Sequence, residues 1–200
     1  FGLALMRAER VPTTEELFSN VESNNPTDWV VHAATQSIEL GDANLDTEVS
    51  NNADLSLSWV LDQHQVSINA FYNNFSKYVG LSSTGAELDD IPVFVYANDD
   101  AKFYGLEIDS HFALADLGSG LLRLAIKGDL IRGELDSGAN VPRLPPVRIG
   151  ASLSWTNDSW HISGSVLDAA DQTRAGDNEE ETAGYTRWDA GAEYRLPVGG

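Results

Sequence analysis

The sequence predicts an all-β chain: an antiparallel, up-and-down transmembrane β-barrel segment of about eight strands, with long loops on one rim and short turns on the other. Three observations predict it. Side chains alternate apolar and polar with a period of two in segment after segment, every second connection is long, and aromatic residues gather toward the strand ends.

The alternation places strands at 2–7, 45–61, 65–78, 94–114, 121–133, 147–156, 160–167 and 186–196. After the first, Arg10-Val11-Pro12-Thr13-Thr14-Glu15-Glu16-Leu17-Phe18 opens a long connection. There Thr13 or Thr14 can cap a short helical turn whose N-terminus suits the glutamates. In the second strand Leu55, Leu57 and Trp59 oppose Asp54, Ser56 and Ser58; in the third, Val66, Ile68, Ala70 and Tyr72 oppose Ser67, Asn69 and Asn73. The fourth sets Tyr104, Leu106, Ile108 and Phe112 against Glu107, Asp109 and His111, and the fifth sets Leu122, Leu124, Ile126 and Leu130 against Arg123, Lys127 and Asp129. Ile149, Ala151, Leu153 and Trp155 alternate with Arg148, Ser152 and Ser154 in the sixth. The last pairs Trp188, Ala190, Ala192 and Tyr194 with Asp189, Glu193 and Arg195. Several of these exceed ~10 residues, a length suited to tilted spanning strands that project beyond a bilayer.

Alternation alone also fits a soluble, acidic β-sandwich that binds carbohydrate or protein, its apolar face turned inward. The connections separate the two. Tight turns fall at Asp62-Gln63-His64, Asp116-Leu117-Gly118-Ser119-Gly120 and Asn157-Asp158-Ser159, and long polar stretches at 8–44, 79–92, 133–146 and 168–184. All short turns then share one rim, as in outer-membrane barrels. Trp59, Phe112, Trp155, Trp160 and Tyr194 lie by the short turns, and Tyr72, Phe75, Tyr78, Phe103, Tyr104, Tyr185 and Trp188 toward the long loops, as two interfacial belts. A closed eight-stranded barrel has a lumen only wide enough for side chains to fill, and the charges of this polar face would crowd it. Paired charges could also fill such a lumen, so the crowding inclines against closure without excluding it.

The 200 residues carry 31 acidic and 12 basic side chains, a formal net charge of -19. That balance argues against nucleic acid and favours cations or cationic complexes as partners. Cysteine is absent, so neither disulfides nor thiolate metal sites are available. No run of ~18 apolar residues suggests a spanning helix, while a spanning strand needs only ~9–11. No Gly-x-Ser-x-Gly, His-Glu-x-x-His or phosphate loop is found, so no enzyme is expected. Glu107 and Asp109 share a strand face as a paired-carboxylate hydrolase would require, but that face is already full of charge.

Distinct short motifs follow one another in order along nearly the whole chain, with no internal repeat. Arg10-x-Pro12-x-x-x-Glu16-Leu17-Phe18 is followed by His32, Thr35 and Glu39-Leu40-Gly41, then Leu45, Glu48 and Ser50-Asn51-Asn52 before Asp54-Leu55. Phe71-Tyr72-Asn73 with Phe75 and Tyr78, Asn98 with Ala101 and Tyr104-Gly105-Leu106-Glu107, and Val141-Pro142-Arg143-Leu144-Pro145-Pro146 before Arg148-Ile149-Gly150 continue the series. Gly184-Tyr185-Thr186, Asp189 and Tyr194 complete it. In these features the chain resembles the C-terminal portion of the barrel of TonB-dependent outer-membrane receptors. The resemblance implies a partial barrel domain over 1–200, from a barrel of about 22 strands around an N-terminal plug, the plug, earlier strands and final strand lying outside it. It implies a place in the outer membrane of a Gram-negative bacterium, in contact with its lipid. It further implies uptake of a scarce nutrient, iron, zinc or a siderophore-type metal chelate, with no cofactor, energised by the inner-membrane TonB protein through the N-terminal part.

Ligand chemistry is not written in those scaffold motifs. In the first long loop His32 lies near Asp28, Glu39 and Asp42 in sequence, and imidazole with carboxylates suits zinc or another transition ion, although the spacing matches no defined site. The acidic run Asp177-Asn178-Glu179-Glu180-Glu181 adds Glu179 and Glu180 as residues that attract cations, without an EF-hand pattern. His32, Asp28, Glu39, Asp42, Glu179 and Glu180 are therefore the candidate ligand-binding residues. Asp89-Asp90 and Asp99-Asp100 read as solvated charge, and His64, His111 and His161 as lumen or surface residues.

Overall fold

The computed structural model describes residues 1–23, 25–177 and 179–196. Eight long strands carry the architecture: β1 (Gly2–Arg10), β4 (Glu48–Leu61), β5 (His64–Leu88), β6 (Ile91–Asp116), β7 (Leu121–Leu135), β8 (Arg148–Thr156), β9 (Trp160–Ala169) and β10 (Tyr185–Tyr194). They pair in the order β1-β4-β5-β6-β7-β8-β9-β10, antiparallel at every step. β1 and β10 stand at opposite edges, so the sheet is open. The first long connection holds α1 (Thr14–Phe18), a 3-10 helix (Pro26–Asp28) and two short strands, β2 (Val31–His32) and β3 (Ser37–Leu40), and β3 adds in parallel to β6.

Register carries the apolar rows of neighbouring strands onto one another. Leu57 opposes Ile68 and Ile68 opposes Ile108, while Leu55 opposes Ala70, which opposes Leu106 and then Leu130. One residue along, Ser67 opposes Asp109 and Asp109 opposes Lys127 on the other face, and Arg148 reaches Asp129 at 3.0 Å. A one-residue slip would exchange the faces, so the pattern and the pairing enforce one another. The apolar face is left uncovered: Leu57, Ile149 and Trp188 are 46%, 59% and 77% exposed. All ten strands belong to one sheet, with no second layer among the described residues. A soluble sandwich would bury that face against another sheet; a barrel wall presents it to lipid. Of the buried apolar residues, Ile38, Val93 and Phe94 gather where β3 pairs along the outer part of β6.

Two expectations are corrected. Residues 79–92, expected as a long loop, continue the β5–β6 ladder to Leu88↔Ile91 and reverse over Asp89-Asp90 alone. Both aspartates have positive φ, 52° and 63°, as the two central residues of a type I′ hairpin turn require, and this is what the acidic pair does. Two irregularities, between Phe75/Tyr78 and Ser83/Glu87, break the alternation and hid the strands. Asp100 pins the first, accepting from the Lys77 amide at 3.0 Å, while Asp99 accepts from the Ser137 amide in the loop after β7 at 3.3 Å. The second aromatic belt also divides. Tyr72 and Tyr104 pair on the apolar face, but Phe75, Tyr78 and Phe103 cluster on the polar face with ring centroids 5.2–5.7 Å apart.

The hairpin tip offers a direct check. Replacing Asp89 by Asn and Asp90 by Gly relieves left-handed strain and charge repulsion together, and is expected to stabilise the tip by about 1 kcal/mol. Greater hydrogen-exchange protection at Leu88 and Ile91 would report it; unchanged or lower protection would contradict the turn assignment.

Candidate functional site

Arg10, at the end of β1, organises the long-loop rim. Its guanidinium donates to Glu16 at 2.9 Å and to Glu48 at 3.1 Å, and Glu48 also accepts from the buried Val79 amide at 3.1 Å. Glu16 closes a capping box on α1, accepting from the Thr13 amide at 2.7 Å while its own amide donates to the Thr13 hydroxyl. Burial pushes the Glu16 carboxyl upward, but the hydrogen bonds from Arg10 and Thr13 outweigh it and hold the group below its ordinary range. So α1 is fixed over the wall by ionic contacts rather than by an apolar face. Gly41, just after β3, lets that chain pass the helix end: a Cβ there would meet the backbone of Leu17 and Phe18 at 2.6 Å, and its amide donates to the Ser19 carbonyl.

This close approach sets Glu15 of α1 beside the β2–β3 hairpin. His32 Nε2 stands 3.6 Å from Glu15 Oε1, and its Nδ1 is 3.0 Å from the Thr35 hydroxyl and 3.7 Å from Glu39 Oε1. Glu39, 4% exposed, accepts from the Thr35 hydroxyl at 2.7 Å and from the Tyr96 phenol at 2.8 Å. Tyr96 lies in the outer part of β6, beyond the apolar rows, where burial and the Glu39 carboxylate push its pKa upward and keep it a donor. Ligand atoms of Glu15, His32 and Glu39 fall within 4.8 Å of one another.

Of the six residues proposed from sequence, His32 and Glu39 thus come together. Asp28 instead accepts from Ser23 Oγ at 2.7 Å in the 3-10 helix segment, and Asp42 accepts from the amide and side chain of Asn44 in a turn. Glu179 accepts from the backbone amides of Arg143 and Gly176, so it fastens two loops. Glu180 lines a cleft of about 510 Å³ that also meets Thr35, Ser37, Arg143, Asp177 and Glu179. Asn178, within the acidic run, lies outside the described residues. The cleft therefore joins the His32 loop to the acidic loop on one rim. Glu15 was missed because sequence reasoning assigned it to the helix start; its tie to His32 rests on contacts that spacing does not encode.

A family model described as the TonB dependent receptor-like β-barrel matches residues 3–199. The chain belongs to that family. Solved structures of similar fold include the copper transporter OprC, with a TM-score of 0.75 at 18% identity over 97% of this chain and 28% of that one. A mutant of the ferric enterobactin receptor PfeA from Pseudomonas aeruginosa gives 0.64 at 18% identity over 97% of this chain and 30% of its own length. The siderophore receptor PirA from Pseudomonas aeruginosa gives 0.61 at 15% identity, covering 97% and 33%. At these identities the likeness is one of fold. The chain spans a third or less of the proteins it matches, as an open stretch of a TonB-dependent receptor wall.

Proposed function

We propose that the complete receptor containing this wall captures a scarce metal ion or metal chelate at the long-loop rim and passes it across the outer membrane of a Gram-negative bacterium. Passage is energised by the inner-membrane TonB protein, which contacts the receptor's N-terminal part. The observation that carries this reading is the placement of Glu15, His32 and Glu39 on the rim formed by the long loops, beside a cleft edged by Asp177 and Glu180. Metal-binding side chains and negative charge are thereby offered where cargo arrives, while the uncovered apolar rows suit contact with outer-membrane lipid. The printed names of the structural relatives, a copper transporter, a siderophore receptor and a ferric enterobactin receptor, point the same way. Catalysis plays no part in the proposal: Asp109 is engaged by His111 at 2.8 Å and Lys127 at 3.6 Å within the charged inner face.

Deleting the gene for the complete receptor tests this. Growth and cell metal content would be followed with iron, zinc or copper limiting, each supplied bare and as a siderophore-type chelate. A defect with one supply is expected, restored by the receptor gene only when TonB is present. Unchanged growth and metal content with every supply would overturn the reading.

A further inference from the structure

We propose that Glu15 and His32 coordinate a bare divalent transition ion of the Zn2+ type, oriented by Thr35 and Glu39, as a capture site on the long-loop rim. This deepens the uptake reading and rests on it.

Hydrogen-bond counting assigns the ligand nitrogen. The Thr35 hydroxyl has one proton, and its shortest contact, 2.7 Å, is to Glu39 Oε1, which as a carboxylate only accepts. Toward its other neighbours Thr35 Oγ1 must then accept, from Ser37 Oγ at 2.8 Å and from His32 Nδ1 at 3.0 Å. His32 therefore donates from Nδ1, an assignment made by the network, and in the neutral ring the lone pair is on Nε2. Nε2 lies 3.6 Å from Glu15 Oε1, longer than a good hydrogen bond. Two ligands at ~2.0–2.1 Å from a common ion and 3.6 Å apart subtend roughly 120° at it, close to the tetrahedral geometry zinc favours. The separation is thus one that an ion can fill.

Behind the ring, the chain His32–Thr35–Glu39–Tyr96 repeats the logic by which a metal-bound histidine gives its other N–H to an acceptor that fixes ring and tautomer. Here a hydroxyl relays the contact to a buried carboxylate. Glu39 is accordingly a positioning residue that adds negative charge 3.7 Å from the ring. An imidazole paired with a carboxylate selects transition ions over Mg2+ and Ca2+, which prefer oxygen ligands throughout. Two protein ligands leave the remaining positions of a four-coordinate ion to water. Such an ion is held loosely enough to be handed on, as capture before passage requires.

The complete receptor, purified in detergent, would be titrated with ZnCl2 by calorimetry and with Co2+ as an optical probe of coordination. One site is expected that excess Mg2+ does not displace. It should be lost in His32→Ala and in Glu15→Gln, and weakened about tenfold in Thr35→Val, which keeps the shape but removes the acceptor for Nδ1–H. Glu15 is exposed on α1, so Glu15→Gln tests the site without disturbing the fold. Parent-like Zn2+ affinity in Glu15→Gln, or a parent that binds no more Zn2+ than His32→Ala, would overturn the proposal. If the parent lacks the site yet imports a chelate in cells, the ion site falls and the uptake reading stands. If the site binds as expected but deleting the receptor changes no metal supply, uptake falls and the site stands.

Discussion

Replacing Leu57 by Arg is expected to remove about 2–4 kcal/mol from the assembled receptor, the cost of a cation near the midplane of a barrel's lipid face. Leu57 sits midway along the outward row Ala53, Leu55, Leu57, Trp59 and Leu61 of β4, is 46% exposed, and pairs with Ile68 of β5. Ser58 is its chain neighbour on the charged inner face, paired with Ser67. The same arginine at Ser58 is therefore expected to change stability little. Urea unfolding of the two variants in lipid vesicles, with the amount of folded receptor in outer membranes as a second readout, would measure the contrast. Equal effects at both positions would mean that the outward row does not meet lipid.

That contrast also marks what the sequence made legible. Where one face of a strand meets lipid and the other the charged interior, selection for two-sidedness is strong, and strands at 121–133, 147–156 and 160–167 were placed within about two residues of β7, β8 and β9. Beyond the apolar rows this constraint lapses. Residues 79–88 still form a ladder, but Ser82, Ser83, Thr84 and Gly85 look like loop residues, and the irregularities shift the period. The inner aromatic cluster of Phe75, Tyr78 and Phe103 escaped for a related reason: the irregularity at Lys77, whose φ is 62°, re-aims the chain. The candidate site was half visible. His32 and Glu39 are close in sequence and joined by one hairpin, whereas Glu15 reaches them only through the passage at Gly41 and the parallel docking of β3 on β6, both non-local.

The ionic contacts at Arg10 yield the second large effect. Glu48 and Glu16 have side-chain exposures of 9% and 15%, against 41% for Arg10, so removing the guanidinium strands two mostly buried carboxylates. Breaking a buried pair from one side costs about 3–5 kcal/mol. Discounting for the solvent that reaches Arg10, a loss of about 2–3 kcal/mol is expected for Arg10→Ala. Adding Glu48→Gln should recover part of it, since the neutral amide no longer needs a counter-charge. The folded-state pKa of Glu16 is depressed, so its contribution is full above the ordinary carboxylate range and is lost as pH falls through the lower folded value. Acid should therefore loosen α1 in the parent while leaving Arg10→Ala, already loosened, comparatively unmoved. Hydrogen exchange at the Gly41 and Val79 amides, which bond to the Ser19 carbonyl and to Glu48, reads both ends of the network once corrected for the intrinsic rate at each pH. Protection that declines equally with acid in parent and variant would show that Arg10 does not hold the helix. Because α1 carries Glu15, the same loosening should widen its separation from His32, so loss of this anchoring and loss of ion capture are expected to coincide in acid.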